Sequence, residues 1–256
     1  MRVALTQSDG RLEGLGQRLR DAGFEVVRAP LLVTKPLLDD ETRRAAESLL
    51  GLPWRSYASR SAVEAWVELG LPFDDGARLA AVGQGTAAAL ERARGHPAPA
   101  ADAPAGVGPA VSDVLTPAPS ASSALGLASV LLAAGAAGSE VGLVQGRRAR
   151  PELAERLRRG GAKTREAVVY EVTTLPWRVS GSLDAVLLTS PSAAAALPEE
   201  VARDSTLVAL GPTTRAALHE RGWHSLQAPE PSVTGVLEAL ERLRIGAAAL
   251  RLEAGG

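Results

Sequence analysis

Val3-Ala4-Leu5-Thr6-Gln7-Ser8 is an apolar run that becomes polar at its end, the pattern of a buried strand that enters a turn. The run has a counterpart later in the chain, Val141-Gly142-Leu143-Val144-Gln145-Gly146. Matching residues follow each run at helical spacing: Leu15, Leu19 and Gly23 after the first, and Leu153, Leu157 and Gly161 after the second. Strands that alternate with amphipathic helices predict an α/β fold built on parallel sheets.

The repetition extends to three further strand-turn-helix units, which recur in the same order. Their paired turns are Ser59-Arg60-Ser61-Ala62-Val63 with Ser190-Pro191-Ser192-Ala193-Ala194, Val82-Gly83-Gln84-Gly85-Thr86 with Leu210-Gly211-Pro212-Thr213-Thr214, and, more weakly, Pro119-Ser120 with Pro231-Ser232. The copies lie roughly 110 to 140 residues apart, a period too long for a solenoid or a propeller. The sequence therefore predicts an internal duplication.

A hydroxyl residue stands where each of these strands should turn into its helix. The paired positions are Ser59 and Ser190, Thr86 and Thr214, and Ser120 and Ser232. One interpretation is structural, because Ser and Thr at such junctions cap free amides of the first helical turn. The other is functional, because a helix N-terminus offers amide donors and a positive dipole end to anions. Several such turns at the carboxyl ends of parallel strands would suit a ligand with many negative charges.

Composition narrows the class of protein. The 256 residues are 46% hydrophobic and 22% charged, an ordinary balance for a soluble protein of one or two domains. Because the net charge is −1 and no basic tail is present, we expect binding to neither nucleic acid nor membranes. The absence of cysteine excludes disulfides and thiolate chemistry, and the three histidines fit no metal-ligand spacing. No signal-peptide pattern precedes the first strand, so we expect a cytoplasmic protein without a metal.

Short apolar runs mark the strand candidates. They are 2–6, 24–28, 54–58, 79–82, 141–144, 165–171, 184–189 and 206–210, with weaker candidates at 112–115 and 225–228. Two extended stretches that end at a proline, 32–36 and 171–176, have the pattern of connectors. We expect the Ala- and Pro-rich segment 95–123 to be a surface connection and the small residues of 246–256 to be a loose tail.

One turn carries a motif similar to a dinucleotide-binding loop. Val82-Gly83-Gln84-Gly85-Thr86-Ala87-Ala88 follows a strand candidate and opens a helix, as a GxGxxA loop would. A dinucleotide site also needs an acidic residue at the end of the next strand, but Asp102 lies in the Pro-rich segment. The duplicate turn, Gly211-Pro212-Thr213-Thr214, keeps the threonine and lacks the second glycine. We therefore expect no nicotinamide or flavin cofactor.

Five motifs occur in order along the chain. They are Tyr57-Ala58-Ser59-Arg60-Ser61-Ala62-Val63; Ala81-Val82-Gly83-Gln84-Gly85-Thr86-Ala87; Gln145-Gly146-Arg147-Arg148-Ala149-Arg150 with Val168-Val169-Tyr170-Glu171; Leu188-Thr189-Ser190-Pro191-Ser192; and Ala209-Leu210-Gly211-Pro212-Thr213-Thr214. In this order and spacing they resemble the uroporphyrinogen-III synthase family, from about residue 1 to 245. No single motif is decisive, and the duplication alone does not identify the family.

The resemblance implies an architecture that does not follow the two halves of the duplication. It places 1–33 together with 174–245 in domain 1 and 36–171 in domain 2, with 246–256 as the tail. Both domains should be flavodoxin-like, doubly wound parallel sheets, joined by two extended connectors with a cleft between them. The stretches 32–36 and 171–176 stand where the chain would cross.

The resemblance also implies an activity, the cyclisation of linear hydroxymethylbilane to uroporphyrinogen III in tetrapyrrole and heme biosynthesis. In this lyase reaction, loss of hydroxide gives an azafulvene, and the substituted position of ring D attacks it. The resulting spiro intermediate fragments and recloses with ring D inverted. The task is mainly to fold the substrate, which is a proximity effect. We expect a monomer that needs no cofactor and whose partner is this polycarboxylate small molecule.

Site residues follow from the same resemblance. Tyr170 is the implied catalytic residue, because a phenol stays protonated at neutral pH and can donate a hydrogen bond to departing hydroxide. The implied binding residues for the substrate are Thr6, Ser59, Arg60, Gly83, Thr86, Gln145, Arg147, Ser190, Thr213 and Thr214.

The chain departs from the family at two positions. Gln7 and Gln145 stand where the family often has arginine, and the nearby arginines that could replace the lost charge are Arg60, Arg147 and Arg148.

The alternative function is a non-catalytic two-domain sensor that binds a tetrapyrrole or another polyanion. Such a sensor would bind its ligand tightly and form no isomer III.

Overall fold

The computed structural model describes residues 1–7, 12, 14–95 and 114–254, with the backbone alone for 247–254. Its strands, in chain order, are β1 (Arg2–Leu5), β2 (Glu25–Arg28), β3 (Leu32–Pro36), β4 (Trp54–Tyr57), β5 (Arg78–Ala81), β6 (Glu140–Gly146), β7 (Lys163–Thr174), β8 (Ala185–Leu188), β9 (Thr206–Ala209) and β10 (Ser225–Gln227). Most of these strands coincide with the apolar runs of the sequence, which confirms the predicted α/β class.

Helices alternate with the strands. They are α1 (Leu15–Asp21), α2 (Asp40–Glu47), α3 (Arg60–Glu68), α4 (Gln84–Ala93), α5 (Ala124–Leu131), α6 (Glu152–Arg159), α7 (Pro191–Ala196), α8 (Glu199–Asp204), α9 (Pro212–Glu220) and α10 (Val233–Ala254). The chain divides into two compact units, the first formed by Met1–Val33 with Thr173–Gly256 and the second by Thr34–Val172. No helix within the described ranges is both long and apolar enough to cross a bilayer.

Each unit contains a five-stranded sheet. The order is β10-β9-β8-β1-β2 in the first unit and β3-β7-β6-β4-β5 in the second. Within them β1 runs parallel to β2 and β8, and β4 runs parallel to β5 and β6. In the second unit Leu115 adds an isolated parallel bridge to Ala80 of β5. Val114, which belongs to the weak strand candidate at 112–115, is not part of a strand. Residues 112 and 113 of this candidate lie outside the described residues.

Helices cover both faces of each sheet. In the second unit Trp66 of α3 packs in one core with Leu79, whereas Leu127 of α5 packs in another with Ala80. Because neighbouring strand residues point to opposite faces, these two cores lie on opposite sides of the sheet. The first unit is built in the same way, with Leu15 of α1 in one core and Leu218 of α9 in the other. Because both faces of each sheet are buried, the strands are continuous apolar runs in the sequence.

A buried ion pair supports β4 of the second unit. Arg55 is fully buried in this strand, and its Nη2 donates to Asp75 Oδ1 at 3.0 Å. Its Nε donates to the hydroxyl of Tyr57 at 3.0 Å, and its Nη2 also donates to the carbonyl oxygen of Phe73 at 2.9 Å. Burial by itself would raise the pKa of Asp75, but hydrogen bonds from Arg55 and the Gly51 amide overcome it and lower this pKa.

Serine caps begin three of the helices at the predicted positions. The hydroxyls of Ser59, Ser190 and Ser232 accept the amides of Ala62 at 3.1 Å, Ala193 at 3.1 Å and Gly235 at 3.0 Å. The prediction for Ser120 was wrong, because this residue lies in a short 3-10 helix, Pro119–Ala121. Ser123 is the cap of α5 instead, and its hydroxyl accepts the Gly126 amide at 3.1 Å.

The threonines of the two glycine turns are not caps either. Gly83 and Gly211 occupy the N-cap positions of α4 and α9, where they make no side-chain hydrogen bond. Thr86 and Thr214 are therefore the third residues of their helices, and both are buried. A glycine cap leaves first-turn amides without a side-chain acceptor, so these amides remain available to other acceptors.

The C-terminal segment also differs from the sequence prediction. We expected a loose tail over 246–256, but α10 continues without interruption to Ala254. The segment is rich in Ala, Leu, Arg and Glu, which are strong helix formers. Its small residues therefore extend a helix rather than end it.

Candidate active site

A cavity of about 440 Å³ opens at the carboxyl ends of the second unit's strands. Ala58 follows β4, Val82 follows β5, Gly146 ends β6, and Tyr170 lies near the end of β7; all four line the cavity. The chain leaves β4 for β5 on one side, whereas β6 lies on the other side. The strand order thus reverses beside β4, where open α/β sheets bind their ligands. The volume lies within the range of small-molecule sites, about 300–1,000 Å³.

A β-bulge positions Tyr170 in this cavity. Gln145 of β6 pairs with Val168, but the next residue, Gly146, pairs with Tyr170, so Val169 is the extra residue. Bulges re-aim the side chains that follow them. The ring of Tyr170 then lies against Gly146, where a β-carbon would come within 2.6 Å of Cε2. A glycine is therefore required beside the tyrosine.

Ser59 joins the helix cap to the tyrosine. Its hydroxyl accepts the Ala62 amide at 3.1 Å and donates to the phenolic oxygen of Tyr170 at 3.0 Å. Because the phenolic oxygen accepts this bond, its own proton is left to donate to another group. The half-buried tyrosine thus has a fixed orientation and a donor directed away from Ser59.

Gln145 lies at the inner wall of the cavity and is 8% exposed. Its Nε2 donates to Oε2 of Glu166 at 2.9 Å, and Arg158 Nη2 donates to Oε1 of the same carboxylate at 2.7 Å. The amide group is held in place by these bonds, and the arginine provides the charge that balances Glu166.

Three arginines follow β6 and line the cavity, namely Arg147, Arg148 and Arg150. Arg147 Nε donates to Glu171 at 3.0 Å, and the Arg147 side chain is 61% exposed. Within the described part of the chain, neither Arg148 nor Arg150 has an ion pair with an acidic side chain. Three arginines were expected to replace the charge of the missing family arginine. Arg147 and Arg148 line the cavity, whereas Arg60 does not.

Four predicted residues of the second unit lie outside the cavity lining, and of these only Ser59 is hydrogen-bonded to a described lining residue, Tyr170. Arg60 is the first residue of α3 and is exposed. Gly83 caps α4, and Thr86 is buried in its first turn. A β-carbon on Gly83 would approach the Ser122 hydroxyl to 3.0 Å, so this glycine allows the chain to pass closely. The structure thus brings Ser59, Gln145, Arg147 and Tyr170 together and leaves these three residues apart from them.

The predicted residues of the first unit also lie at the carboxyl ends of its strands. Thr6 is buried, and its hydroxyl donates to the carbonyl oxygen of Leu187 at 2.7 Å, so it bonds within the sheet. Ser190 caps α7, Thr213 is exposed as the second residue of α9, and Thr214 is buried behind it. A separate cavity of about 340 Å³ in this unit is lined by Arg28, Arg178 and Trp177, and by none of these four residues.

Sequence reasoning missed several residues of the second unit's cavity. Glu152, the first residue of α6, lines it, and its Oε2 is buried without a hydrogen-bond partner among the described residues. Leu125 of α5 forms an apolar part of the wall and is 54% exposed. In the sequence, the feature that could have indicated them is their position in the first turn of a helix, α5 for Leu125 and α6 for Glu152.

The fold and this site define an α/β protein with a small-molecule cavity at the carboxyl ends of parallel strands, whose lining includes three arginines and one tyrosine. Residues 13–238 match the family described as Uroporphyrinogen-III synthase HemD. The chain belongs to this family. A comparison with curated proteins gives no significant match.

Solved structures with a similar fold include two enzymes of this name. One is a mutant uroporphyrinogen III synthase from the extremely thermophilic bacterium Thermus thermophilus, with 18% sequence identity, a TM-score of 0.59, and coverage of 96% of this chain and 99% of that chain. The other is the uroporphyrinogen-III synthetase from Helicobacter pylori, with 18% identity, a TM-score of 0.59, and coverage of 95% and 100%. At this identity the likeness concerns the fold.

Proposed function

We propose that this chain is a uroporphyrinogen-III synthase that cyclises linear hydroxymethylbilane with inversion of ring D. The observation that carries the proposal is the match of the family to residues 13–238, combined with a tyrosine held in a cavity lined by arginines. In this reaction the departure of hydroxide forms an azafulvene, ring D attacks through its substituted carbon, and the spiro intermediate recloses with that ring reversed.

Tyr170 is the proposed catalytic residue. Because Ser59 donates to the phenolic oxygen, the phenolic proton is directed to another acceptor, and the departing hydroxide would be that acceptor. The hydrogen bond stabilises the negative charge that forms on this oxygen as the carbon–oxygen bond breaks. Tyr170 would thereby promote azafulvene formation without giving up its own proton.

Substrate carboxylates would be bound by cations and amides at the carboxyl ends of the strands. Arg147, Arg148 and Arg150 supply guanidinium donors that suit carboxylate geometry. The glycine-capped helix α4 adds amides without a side-chain acceptor, next to Thr86. In the first unit, Ser190 and the turn with Thr213 and Thr214 would serve the same purpose.

The architecture that we propose is a pair of flavodoxin-like domains joined by two extended connectors. In the first unit the order β2-β1-β8-β9-β10 is 2-1-3-4-5 when its strands are numbered along the chain. In the second unit the order β7-β6-β4-β5 has β6 and β4 in the places of β1 and β8, and Leu115 lies beside β5 as β10 lies beside β9. The duplicated motifs of the sequence fall on corresponding strands, which supports the proposed internal duplication.

The proposed enzyme is a cytoplasmic monomer that works without a cofactor. Its contribution to the reaction is mainly to hold the chain so that the crowded carbon of ring D attacks first, which is a proximity effect. The uncatalysed reaction closes the ring without inversion and gives isomer I. The protein therefore changes which product forms as well as the rate of formation.

Product analysis tests this proposal. Freshly prepared hydroxymethylbilane is incubated with the protein, the products are oxidised, and the porphyrin isomers are separated. We expect isomer III in an amount that rises with protein concentration. Formation of isomer I alone would contradict the proposal, and tight binding of the bilane without isomer III would favour a non-catalytic sensor.

A further inference from the structure

The separate cavity of the first unit combines an aromatic wall with positive charge. Its volume is about 340 Å³, and it lies where the end of β2 meets the segment that follows β7. All of its lining residues belong to the first unit: Arg28, Ala29, Pro30, Leu175, Pro176, Trp177, Arg178 and Val179. The charged groups of this described lining are two guanidinium groups, without a carboxylate. The volume is within the range of small-molecule sites.

Hydrogen bonds hold the wall of this cavity in place. The Leu175 amide donates to the carbonyl oxygen of Leu31 at 2.8 Å and so joins the two segments that form the cavity. The indole Nε1 of Trp177 donates to the carbonyl oxygen of Val179 at 3.0 Å, which fixes the plane of the ring. The two prolines of the lining restrict the backbone further, because the proline ring fixes φ. A ligand would therefore meet a preformed surface, which lowers the entropic cost of binding.

Trp177 presents an aromatic surface to the cavity. The half-buried side chain packs against the core that contains Leu31 and Leu218, and it also lines the cavity. Because its N–H is bonded to Val179, the surface that it offers to a ligand is apolar and aromatic. Core packing explains the buried part of the indole and leaves the part at the cavity without a structural role. Another aromatic ring is the group that gains most from contact with such a surface.

Arg178 supplies the matching polar group. The residue is exposed, and within the described ranges its guanidinium group has no hydrogen bond or ion pair. Arg28, the last residue of β2, brings a second guanidinium group to the lining. Guanidinium groups match the planar geometry of a carboxylate and bind it through paired hydrogen bonds. The lining thus selects an anion and disfavours a cation.

We propose that this cavity binds a small aromatic carboxylate, with its ring against the indole of Trp177 and its carboxylate bonded to the guanidinium group of Arg178. The cavity is near the lower end of the size range for small-molecule sites, so the ligand has one or two rings. The described lining shares no residue with that of the Tyr170 cavity. The inference is therefore independent of the proposed function.

Three probes separate the contribution of the ring from that of the charge. Benzoate has an aromatic ring and a carboxylate, benzamide keeps the ring without the charge, and cyclohexanecarboxylate keeps the charge without an aromatic ring. The full chain has four tryptophans, whose indole N–H signals can be followed by proton–nitrogen correlation NMR. The Trp177 signal is assigned by its loss in Trp177→Phe, and affinity is measured from its shift, so that binding elsewhere is not counted.

We expect benzoate to shift the Trp177 signal and to bind about tenfold more tightly than either control probe. If benzoate leaves this signal unmoved up to its limit of solubility, or binds no more tightly than either control probe, the proposal fails.

A pair of arginine variants tests the proposed contact with the carboxylate. Arg178→Ala should weaken the binding of benzoate by about tenfold and leave that of benzamide unchanged, because the lost bond is to the charged group. The matched control is Arg44→Ala, which removes an exposed arginine from the last turn of α2 in the second unit. This control should bind benzoate as wild type does. Wild-type affinity for benzoate in Arg178→Ala, or an equal loss in both variants, would overturn the assignment.

Discussion

The hydroxyl of Ser59 donates to the phenolic oxygen of Tyr170 at 3.0 Å, although 111 residues separate the two in the chain. The same serine oxygen accepts the Ala62 amide and so fixes the start of α3. A helix cap and the proposed catalytic donor are thereby joined in one hydrogen-bonded chain. The orientation of the tyrosine then depends on the parallel arrangement of β4, β6 and β7.

Replacement of Tyr170 by phenylalanine should slow the formation of isomer III by about 10²-fold, because the donor to the departing hydroxide is lost. The fold should remain, which circular dichroism would show. The matched control is Tyr57→Phe, which removes the other tyrosine hydroxyl of the chain, the buried acceptor of Arg55 Nε. This control should lose stability, by about 1–3 kcal/mol, and keep its rate at temperatures where it is folded. Unchanged turnover in Tyr170→Phe would remove the phenol from the mechanism.

Ser59→Ala should reduce both stability and rate. Loss of the cap costs about 1 kcal/mol of unfolding free energy, and the control Ser232→Ala, which removes an equivalent cap from α10, should show a similar loss. Only Ser59→Ala should also lower kcat, because its hydroxyl orients Tyr170. When Tyr170 is already phenylalanine, the further substitution of Ser59 should have little kinetic effect. Fully additive effects on kcat would contradict a shared role.

Gly146→Ala should displace the ring of Tyr170. The new β-carbon would lie 2.6 Å from Cε2 and 2.8 Å from the hydroxyl oxygen, which is closer than atoms can pack. We expect a loss of isomer III formation of at least tenfold, roughly the cost of misplacing a reacting group by an ångström. Gly16→Ala in α1 is the control, since its β-carbon would make only ordinary contacts from 3.6 Å. A crystal structure of Gly146→Ala with an unmoved tyrosine would contradict this explanation.

The Arg55–Asp75 pair predicts how stability depends on pH. The pKa of Asp75 is lower in the folded protein than in the unfolded chain, so its stabilising effect is complete above the unfolded value, about 3.9. The effect is lost as the pH falls through the lower, folded value. Asp75→Asn leaves Arg55 buried without its charge partner and should cost about 3–5 kcal/mol near neutral pH.

Urea unfolding between neutral and acid pH would measure this effect. The difference in unfolding free energy between wild type and Asp75→Asn should shrink as the pH falls below about 4. Asp74→Asn, which changes a 65% exposed carboxylate next in the chain, should behave like wild type throughout. A difference that stays constant with pH would show that the Asp75 carboxylate contributes no charge-dependent stability.

Much of the fold could be predicted from the sequence, because buried parallel strands are continuous apolar runs. The run at 184–189 and the run at 206–210 contain β8 and β9, and both strands are almost entirely buried. The continuation of α10 beyond residue 245 was missed because small residues also occur in loops. The stretch 32–36 was expected to be extended, and it forms β3 at the edge of a sheet.

The site could be predicted only in part. The resemblance pointed to Tyr170, but the bulge at Val169 and the bond to Ser59 depend on the register of separate strands, which no local pattern reveals. Capping was one of two interpretations of Thr86 and Thr214, and it was wrong because glycine takes the N-cap position in both turns. The full burial of Arg55 depends on its pair with Asp75, which lies 20 residues later in the chain, so no local pattern reveals it.

The most direct test of the central claim is the ratio of isomer III to isomer I formed from hydroxymethylbilane in a single turnover with protein in excess. The proposed function predicts that wild-type protein gives almost entirely isomer III and that Tyr170→Phe, under the same conditions, forms it more slowly. A wild-type ratio equal to that of the reaction without protein would contradict the claim.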